Sequence, residues 1–355
     1  LWVGAGWRAS CVGVGAAVLF PTHPRFGYNY TGPGHPERPA RLGAVLDGLT
    51  AAGLDDALVG VSPRPATRAE LEAVHPAAHL DRLEALCRSG GGRVDADTRV
   101  SEASWAVALL AAGAGIDAVE RLDRREADAA FLAVRPPGHH ATVDRAMGFC
   151  LVNNVAVAAT HLADRGERVL IVDIDAHHGN GTQDVFWSDP RVLYVSFHQH
   201  PLYPGTGAAR DVGTGVASGT TVNFPLPAGA TGDVYRAGIE EVLAPRVAAF
   251  APTWLLISAG FDAHRRDPIT DLGLTAGDYA DVTADLLAFV PAGRRLVFLE
   301  GGYDLTALGE CAAATVGALL GEAVQSEAAT AAGPGREVLG VVAAAQARAD
   351  EAAQA

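Results

Sequence analysis

Short apolar runs rich in β-branched and aromatic residues recur at 130–134, 169–174, 192–197, 254–258 and 296–299, each flanked by Ala- and Leu-rich stretches of helical length. Strands apolar on both faces must be covered on both sides. Parallel sheets with helical crossovers meet that demand. The expected helices span 101–121, 154–165, 233–249 and 276–290, with Ser101 and Asp233 as N-caps. These elements define an α/β chain with a parallel sheet.

No repeat period and no Ser/Gly-rich linker divides the 355 residues, so one catalytic domain over 1–325 is the economical reading. The Ala-rich remainder, 326–355, is expected to be a solvated tail or a surface helix. Arg8 and the apolar run from Cys11 to Phe20 could pass for a signal-peptide core. The run is too short to span a membrane, no small-x-small cleavage pattern follows, and 12–20 reads as a first buried strand before Pro21.

A formal net charge of −14 opposes nucleic acid and anionic membranes, and favours cationic ligands on approach. Cys11, Cys87, Cys150 and Cys311 show no C-x-x-C or paired spacing, so they read as small buried residues of a reducing compartment, and a cytoplasmic protein is expected.

Ligand-type residues sit directly after four of the strands, where open α/β sheets place their sites. They are Arg135-Pro136-Pro137-Gly138-His139-His140, Asp173-Ile174-Asp175-Ala176-His177-His178-Gly179-Asn180-Gly181, Ala259-Gly260-Phe261-Asp262 and Glu300-Gly301-Gly302-Tyr303. Strand period two puts Asp173 and Asp175 on one face, and one further extended step adds His177. A carboxylate and an imidazole so spaced can chelate one ion. Asp262 would complete a three-ligand site with an open position, as catalytic metal sites need. Zinc is the first expectation, with iron(II) as the alternative for an oxygen-rich set. Each fragment alone is weak, since D-x-H pairs, His doublets and Gly-Gly-Tyr turns are mostly structural. Their joint occurrence at four strand ends carries the argument.

Together with Gly32-Pro33-Gly34-His35-Pro36-Glu37-Arg38-Pro39 and Gly148-Phe149-Cys150-Leu151-Val152-Asn153-Asn154, these segments resemble the histone deacetylase and acetylpolyamine amidohydrolase superfamily over roughly residues 20 to 315. The resemblance implies an arginase-like three-layer αβα fold with a central, mainly parallel sheet. It also implies a hydrolase that removes acyl groups from amines by metal-activated water. Asp175, His177 and Asp262 are then the metal ligands, His139 and His140 the tandem pair, Asp173 the partner orienting His139, and Tyr303 the hydroxyl donor to the oxyanion. His140 is expected to be the main base and acid. Its partner position is Asn180, where some relatives carry Asp. Gly179 and His264 stand where binuclear relatives place further carboxylates, which favours one ion and leaves His178 and His264 as scaffold or rim residues.

By the same resemblance Phe149 and Tyr203 line a channel for an acyl-lysine stem beside Gly148, and Asp97 is a rim carboxylate for substrate backbone amides. Ile269 occupies the position of the acidic gatekeeper of polyamine-selective members. A structural monovalent ion, potassium, would use Asp173, Asp175, His177, Ser196 and Phe197. Acyl-lysine in a protein or peptide is the expected substrate, with acetylpolyamines or other small N-acyl amines as the alternative. Two rival classes are a non-catalytic acyl-amine binder, expected to have lost a ligand, the tandem or the tyrosine, and a binuclear ureohydrolase. No residue pattern settles oligomeric state.

Overall fold

The computed structural model describes residues 16–324 and 326–354; Cys11 and the start of the 12–20 run lie outside the described residues. The strands are β1 (Val18–Pro21), β2 (Leu58–Val61), β3 (Gly91–Arg93), β4 (Arg99–Ser101), β5 (Ala129–Leu132), β6 (Val169–Asp173), β7 (Val192–Gln199), β8 (Thr221–Leu226), β9 (Trp254–Ala259) and β10 (Arg295–Leu299). Eight form one sheet in the order β2-β1-β5-β10-β9-β6-β7-β8, with every neighbouring pair parallel. β3 and β4 form a separate antiparallel hairpin.

Among the described residues eleven α-helices cover the sheet. On one face lie α2 (Arg68–Glu72), α3 (Ala77–Arg88), α4 (Ser104–Asp123), α5 (Asn154–Ala163) and α6 (Asn180–Phe186). The other carries α1 (Ala40–Ala51), α7 (Gly232–Gly238), α8 (Ala244–Phe250), α9 (Ala276–Leu287), α10 (Leu305–Leu320) and α11 (Arg336–Gln354). Alternation along β5 shows why both faces need cover. Phe131 stacks between Phe20 and Phe261 in one core, with ring centroids 6.2 and 6.5 Å away, while Ala130 and Leu132 belong to the other. The three-layer αβα expectation holds.

Several boundaries differ from expectation. Ser101 is no N-cap: it ends β4, and its N–H bonds Ser104 Oγ at 2.8 Å, so α4 starts three residues later. Asp233 lies inside the first turn of α7, whose N-cap is Thr231. The 233–249 stretch also passes through a π-helical turn, Ile239–Leu243, between α7 and α8. The described end of the chain is a helix with one docked face: Leu339, Val342 and Ala345 of α11 are buried, and Gln346 Nε2 donates to Thr221 O on edge strand β8 at 2.7 Å. Among the described residues no helix is long and apolar enough to cross a membrane.

A buried ionic knot ties the loop before α1 to the loop after β5. Arg135 donates Nη2 to Glu37 Oε2 at 2.7 Å and Nε to Glu37 Oε1, and also donates Nη1 to Phe26 O at 2.7 Å. Arg41 Nη1 lies 3.5 Å from the same carboxylate. Burial opposes ionisation of Glu37, but Arg135 and then Arg41 outweigh it and hold its pKa below the ordinary carboxylate value. Its contribution is therefore complete above the unfolded pKa and drains away as pH falls through the lower folded one. Glu37→Gln, which strands two buried guanidinium groups, is expected to cost about 3–5 kcal/mol in denaturant melts at neutral pH, with a smaller difference in acid. An unchanged midpoint would contradict this account.

Candidate metal centre and active site

The four loops carrying the ligand-type residues follow β5, β10, β9 and β6, which are the four contiguous central strands. Because the strands are parallel, all four loops leave at one edge. There, ligand atoms of Asp175, His177 and Asp262 lie within 4.8 Å of one another, all buried. His177 Nδ1 is 3.0 Å from Asp175 Oδ1 and 3.1 Å from Asp262 Oδ2. Backbone donors aim both carboxylates: Gly301 N–H to Asp175 Oδ2, His177 N–H to Asp175 Oδ1 and Ala176 N–H to Asp262 Oδ1, each at 2.8 Å. A Cβ on Gly301 would sit 2.2 Å from Asp262 Oδ2 and 2.6 Å from Asp175 Oδ2, so only glycine lets the backbone approach this closely.

Two carboxylates converge on one ring nitrogen, and a single N–H serves one of them well. Among the described residues no Arg or Lys pairs with either carboxylate. The cluster therefore attracts positive charge. Burial opposes a charged His177, yet Asp175 and Asp262 overcome it and raise its pKa to about 10. Burial, reinforced by Asp175, pushes Asp262 above its ordinary value. A divalent cation fits where that proton stands, and two oxygens with one nitrogen suit zinc or iron(II).

The tandem histidines differ in their partners. His139 Nδ1 lies 3.0 Å from Asp173 Oδ2, a charge-assisted bond that places the hydrogen on Nδ1. His140 Nδ1 lies 2.8 Å from Asn180 Oδ1, while Asn180 Nδ2 faces Met147 Sδ, so Nδ1 donates and Nε2 keeps its lone pair. Burial disfavours charge on both rings. For His139 the carboxylates of Asp173 and Asp175 win and its pKa rises well above normal; for His140 the neighbouring His139 and His177 add to burial and its pKa falls well below. The partners thus push the two rings' pKa values in opposite directions, the separation that acid and base work needs.

Tyr303 sits beside these groups, its ring 6.0 Å from Phe149 and under the Arg41 guanidinium at 5.1 Å. Burial raises its phenol pKa well above normal, so it remains a hydrogen donor. Tyr203 meets the His140 ring edge-on at 5.2 Å. Asp97 is exposed on the β3–β4 hairpin, and Ile269 is half exposed at the rim. Ser196 pairs with Asp173 in the β6–β7 register, and its hydroxyl contacts His198 Nδ1 at 2.9 Å. His178 and His264 point elsewhere: His178 bonds Thr206 and Gln183, and His264 Nε2 lies 2.7 Å from Glu327. A Cβ on Gly179 would lie 2.1 Å from Asp173 Oδ2, which leaves no room there for a further carboxylate ligand.

Sequence reasoning passed over three supporting residues. Buried Glu300 accepts from Gly138 N at 2.6 Å and His139 N at 3.2 Å, holding the tandem's backbone; burial raises it to about 7. Asp267 accepts from Tyr303 N at 2.7 Å. Arg41 donates to Gly302 O and Glu300 O at 2.7 and 2.5 Å. Glu300 lies in a segment already singled out and Asp267 two residues before Ile269, but only the folded loops reveal their partners. Arg41 has no motif signal beyond standing four residues after Glu37.

Fold and site define a class of αβα hydrolase with an Asp-His-Asp metal cradle at the carboxyl edge of a parallel sheet. The family profile described as the histone deacetylase domain matches residues 35–319. A protein of Archaeoglobus fulgidus named "Probable deacetylase" is 42% identical over 279 residues, 77% of this chain and 77% of that protein. A histone deacetylase-like amidohydrolase of Pseudomonas aeruginosa is 35% identical over 327 residues, 90% of this chain and 84% of that protein. The crystal structure of HDA15 HD domain matches with a TM-score of 0.86 at 37% identity, covering 94% of this chain and 95% of that one. The chain belongs to the histone deacetylase family and is a deacetylase of that superfamily.

Gly148 has φ +55, and a Cβ there would lie 2.5 Å from His140 Cδ2. Gly148→Ala is therefore expected to displace the His140 ring and cut turnover about 10²-fold, with metal content unchanged. Full turnover in an acetyl-amide hydrolysis assay would refute this placement of the ring.

Proposed function

We propose that this chain hydrolyses the acylated side-chain amine of lysine in peptides or proteins, using one divalent cation held by Asp175, His177 and Asp262. The observation that carries this reading is the asymmetric tandem, a carboxylate behind His139 and an amide behind His140, directly beside the Asp-His-Asp cradle. A cation there supplies Lewis-acid polarisation of the amide carbonyl and makes water a better nucleophile near neutral pH.

The side chains do the rest. His140 Nε2, with its lone pair free, takes the proton from the attacking water and returns it to the departing amine, which is too basic to leave as an anion. His139, kept charged by Asp173, stabilises negative charge as it develops. Tyr303 donates its hydroxyl hydrogen to the carbonyl oxygen as that oxygen gains charge. Amide and water are consumed, and free amine and carboxylate are produced.

Phe149 and Tyr203 are the apolar walls that grip an extended aliphatic stem beside Gly148 and keep water out. Asp97 is the acceptor for substrate amides at the mouth. Ile269 at the rim favours acyl-lysine over cationic polyamines, whereas the net charge of −14 favours polyamines; acetylpolyamines and other small N-acyl amines are the alternative substrates. Zinc is the metal proposed, iron(II) its alternative, with a potassium site at Asp173, Asp175, His177, Ser196 and Phe197.

Purified protein should release acetate from an acetyl-lysine peptide, lose that activity with a chelator and regain it with zinc or iron(II). Undiminished turnover after complete metal removal would sink the mechanism. Tyr303→Phe should retain the metal and lose about 10²–10³ in kcat, the usual worth of one oxyanion donor, whereas a fully active variant would remove Tyr303 from the reaction. A kcat/KM comparison of acetyl-lysine peptides with acetylpolyamines decides the substrate class.

A further inference from the structure

The rim of the channel is built from three segments far apart in sequence: the loop around His35, the β3–β4 hairpin carrying Asp97 and Thr98, and Gly148-Phe149. None is a strand of the central sheet, so the sheet does not set their relative positions. Side-chain bonds do. Thr98, almost fully buried, accepts the Phe149 N–H at 3.0 Å and donates its hydroxyl hydrogen to Asp97 Oδ1 at 3.1 Å.

His35 joins the other side. Its Nε2 lies 3.1 Å from Asp97 O, and since a carbonyl only accepts, Nε2 carries the hydrogen. Nδ1 faces the Glu37 backbone, 3.1 Å from both its nitrogen and its carbonyl oxygen. The same ring meets Phe149 edge-on at 4.6 Å between centroids. A closed circuit results: His35 to Asp97, Asp97 to Thr98, Thr98 to Phe149, and Phe149 back to His35. The circuit is anchored, because Glu37 is locked between Arg135 and Arg41.

Phe149 adds an independent reason for such a clamp. Its φ is +69, a region where an aromatic residue persists only when its surroundings over-determine it. Asp95 braces the hairpin from within, accepting the backbone N–H groups of Asp97 and Thr98 at 3.0 and 2.7 Å.

We infer that Thr98 and His35 are positioning residues that hold Asp97 and Phe149 as one rigid mouth, and so set the preference for an acylated amine carried on a peptide backbone over the same amine without one. The inference rests on the proposed roles of Asp97 and Phe149 in substrate binding. A bare acylated alkylamine fills the channel but offers Asp97 no backbone amides. A peptide offers both.

The test compares metal-loaded protein on an acetyl-lysine peptide and on N-acetylpentylamine, which has a lysine-like stem and no backbone. Thr98→Val is expected to raise KM for the peptide about ten-fold, the usual scale for one hydrogen bond to a charged group. N-acetylpentylamine, which meets the Phe149 wall but not Asp97, should lose clearly less than the peptide does. Thr98→Ser, which keeps the oxygen, should restore KM. His35→Phe, which keeps the ring contact but loses the donor, should resemble Thr98→Val. Combining Thr98→Val with Asp97→Asn should be no worse than Asp97→Asn alone, as coupled residues require.

Equal losses on both substrates, or additive effects in the double variant, would overturn the inference. If the unaltered protein hydrolysed neither amide, the proposed function would fall instead. The clamp would then be judged by amide hydrogen exchange. Faster exchange at Phe149 in Thr98→Val supports it, and unchanged exchange refutes it.

Discussion

Parallel pairing of β5, β10, β9 and β6 is the constraint on which the site depends. Parallel strands all leave the sheet at the same edge, so four loops separated by as much as several helices and strands in sequence must meet there. The loops carry Gly138 to His140, Asp175 and His177, Asp262, and Gly301 to Tyr303. Helices cover both faces of these strands and leave the edge as the only place where polar side chains can collect without interrupting a core.

Collecting charge in a buried place creates an electrostatic problem, and the chain answers it in two ways. Glu37 is neutralised internally by Arg135 and Arg41 and serves to tie loops together. Among the described residues the Asp175 and Asp262 pair has no Arg or Lys partner, and it faces only His177 and His139 or a bound cation. The first arrangement is scaffold and the second is chemistry. Glu300 lies between the two roles, spending its acceptor capacity on the backbone of Gly138 and His139 and so presenting the tandem histidines. The contrast between Asp173 behind His139 and Asn180 behind His140 then pushes two identical side chains in opposite directions of basicity.

Much of the fold was legible because it follows from local pattern. The five apolar runs are strands, and the ligand-type residues after four of them do meet. Less legible were β8 and the β3–β4 hairpin: β8 is an edge strand with a weaker apolar signal, and the hairpin is short and Gly-rich. Helix starts also shifted. Ser101 and Asp233 have the right chemistry for caps, but the neighbouring Ser104 and Thr231 hold the geometry. The end of the chain looked featureless because its apolar residues are mostly alanines. Docking against β8, α7 and the π-helical turn explains why Leu339 and Val342 are buried.

The amino-acid sequence by itself determined an α/β chain with a parallel sheet, the identity of the residues at the carboxyl edge and the chemistry those residue types can perform, because strand period and ligand type are local properties. Tertiary structure alone decided which histidine faces a carboxylate and which an amide. It also decided that His264 pairs with Glu327 rather than joining the Asp-His-Asp cluster, and that His35, Thr98, Asp97 and Phe149 form one mouth. Each of these outcomes depends on a partner brought within about 3 Å across long stretches of chain, where hydrogen bonds and charges act. Local sequence carries no record of that distance.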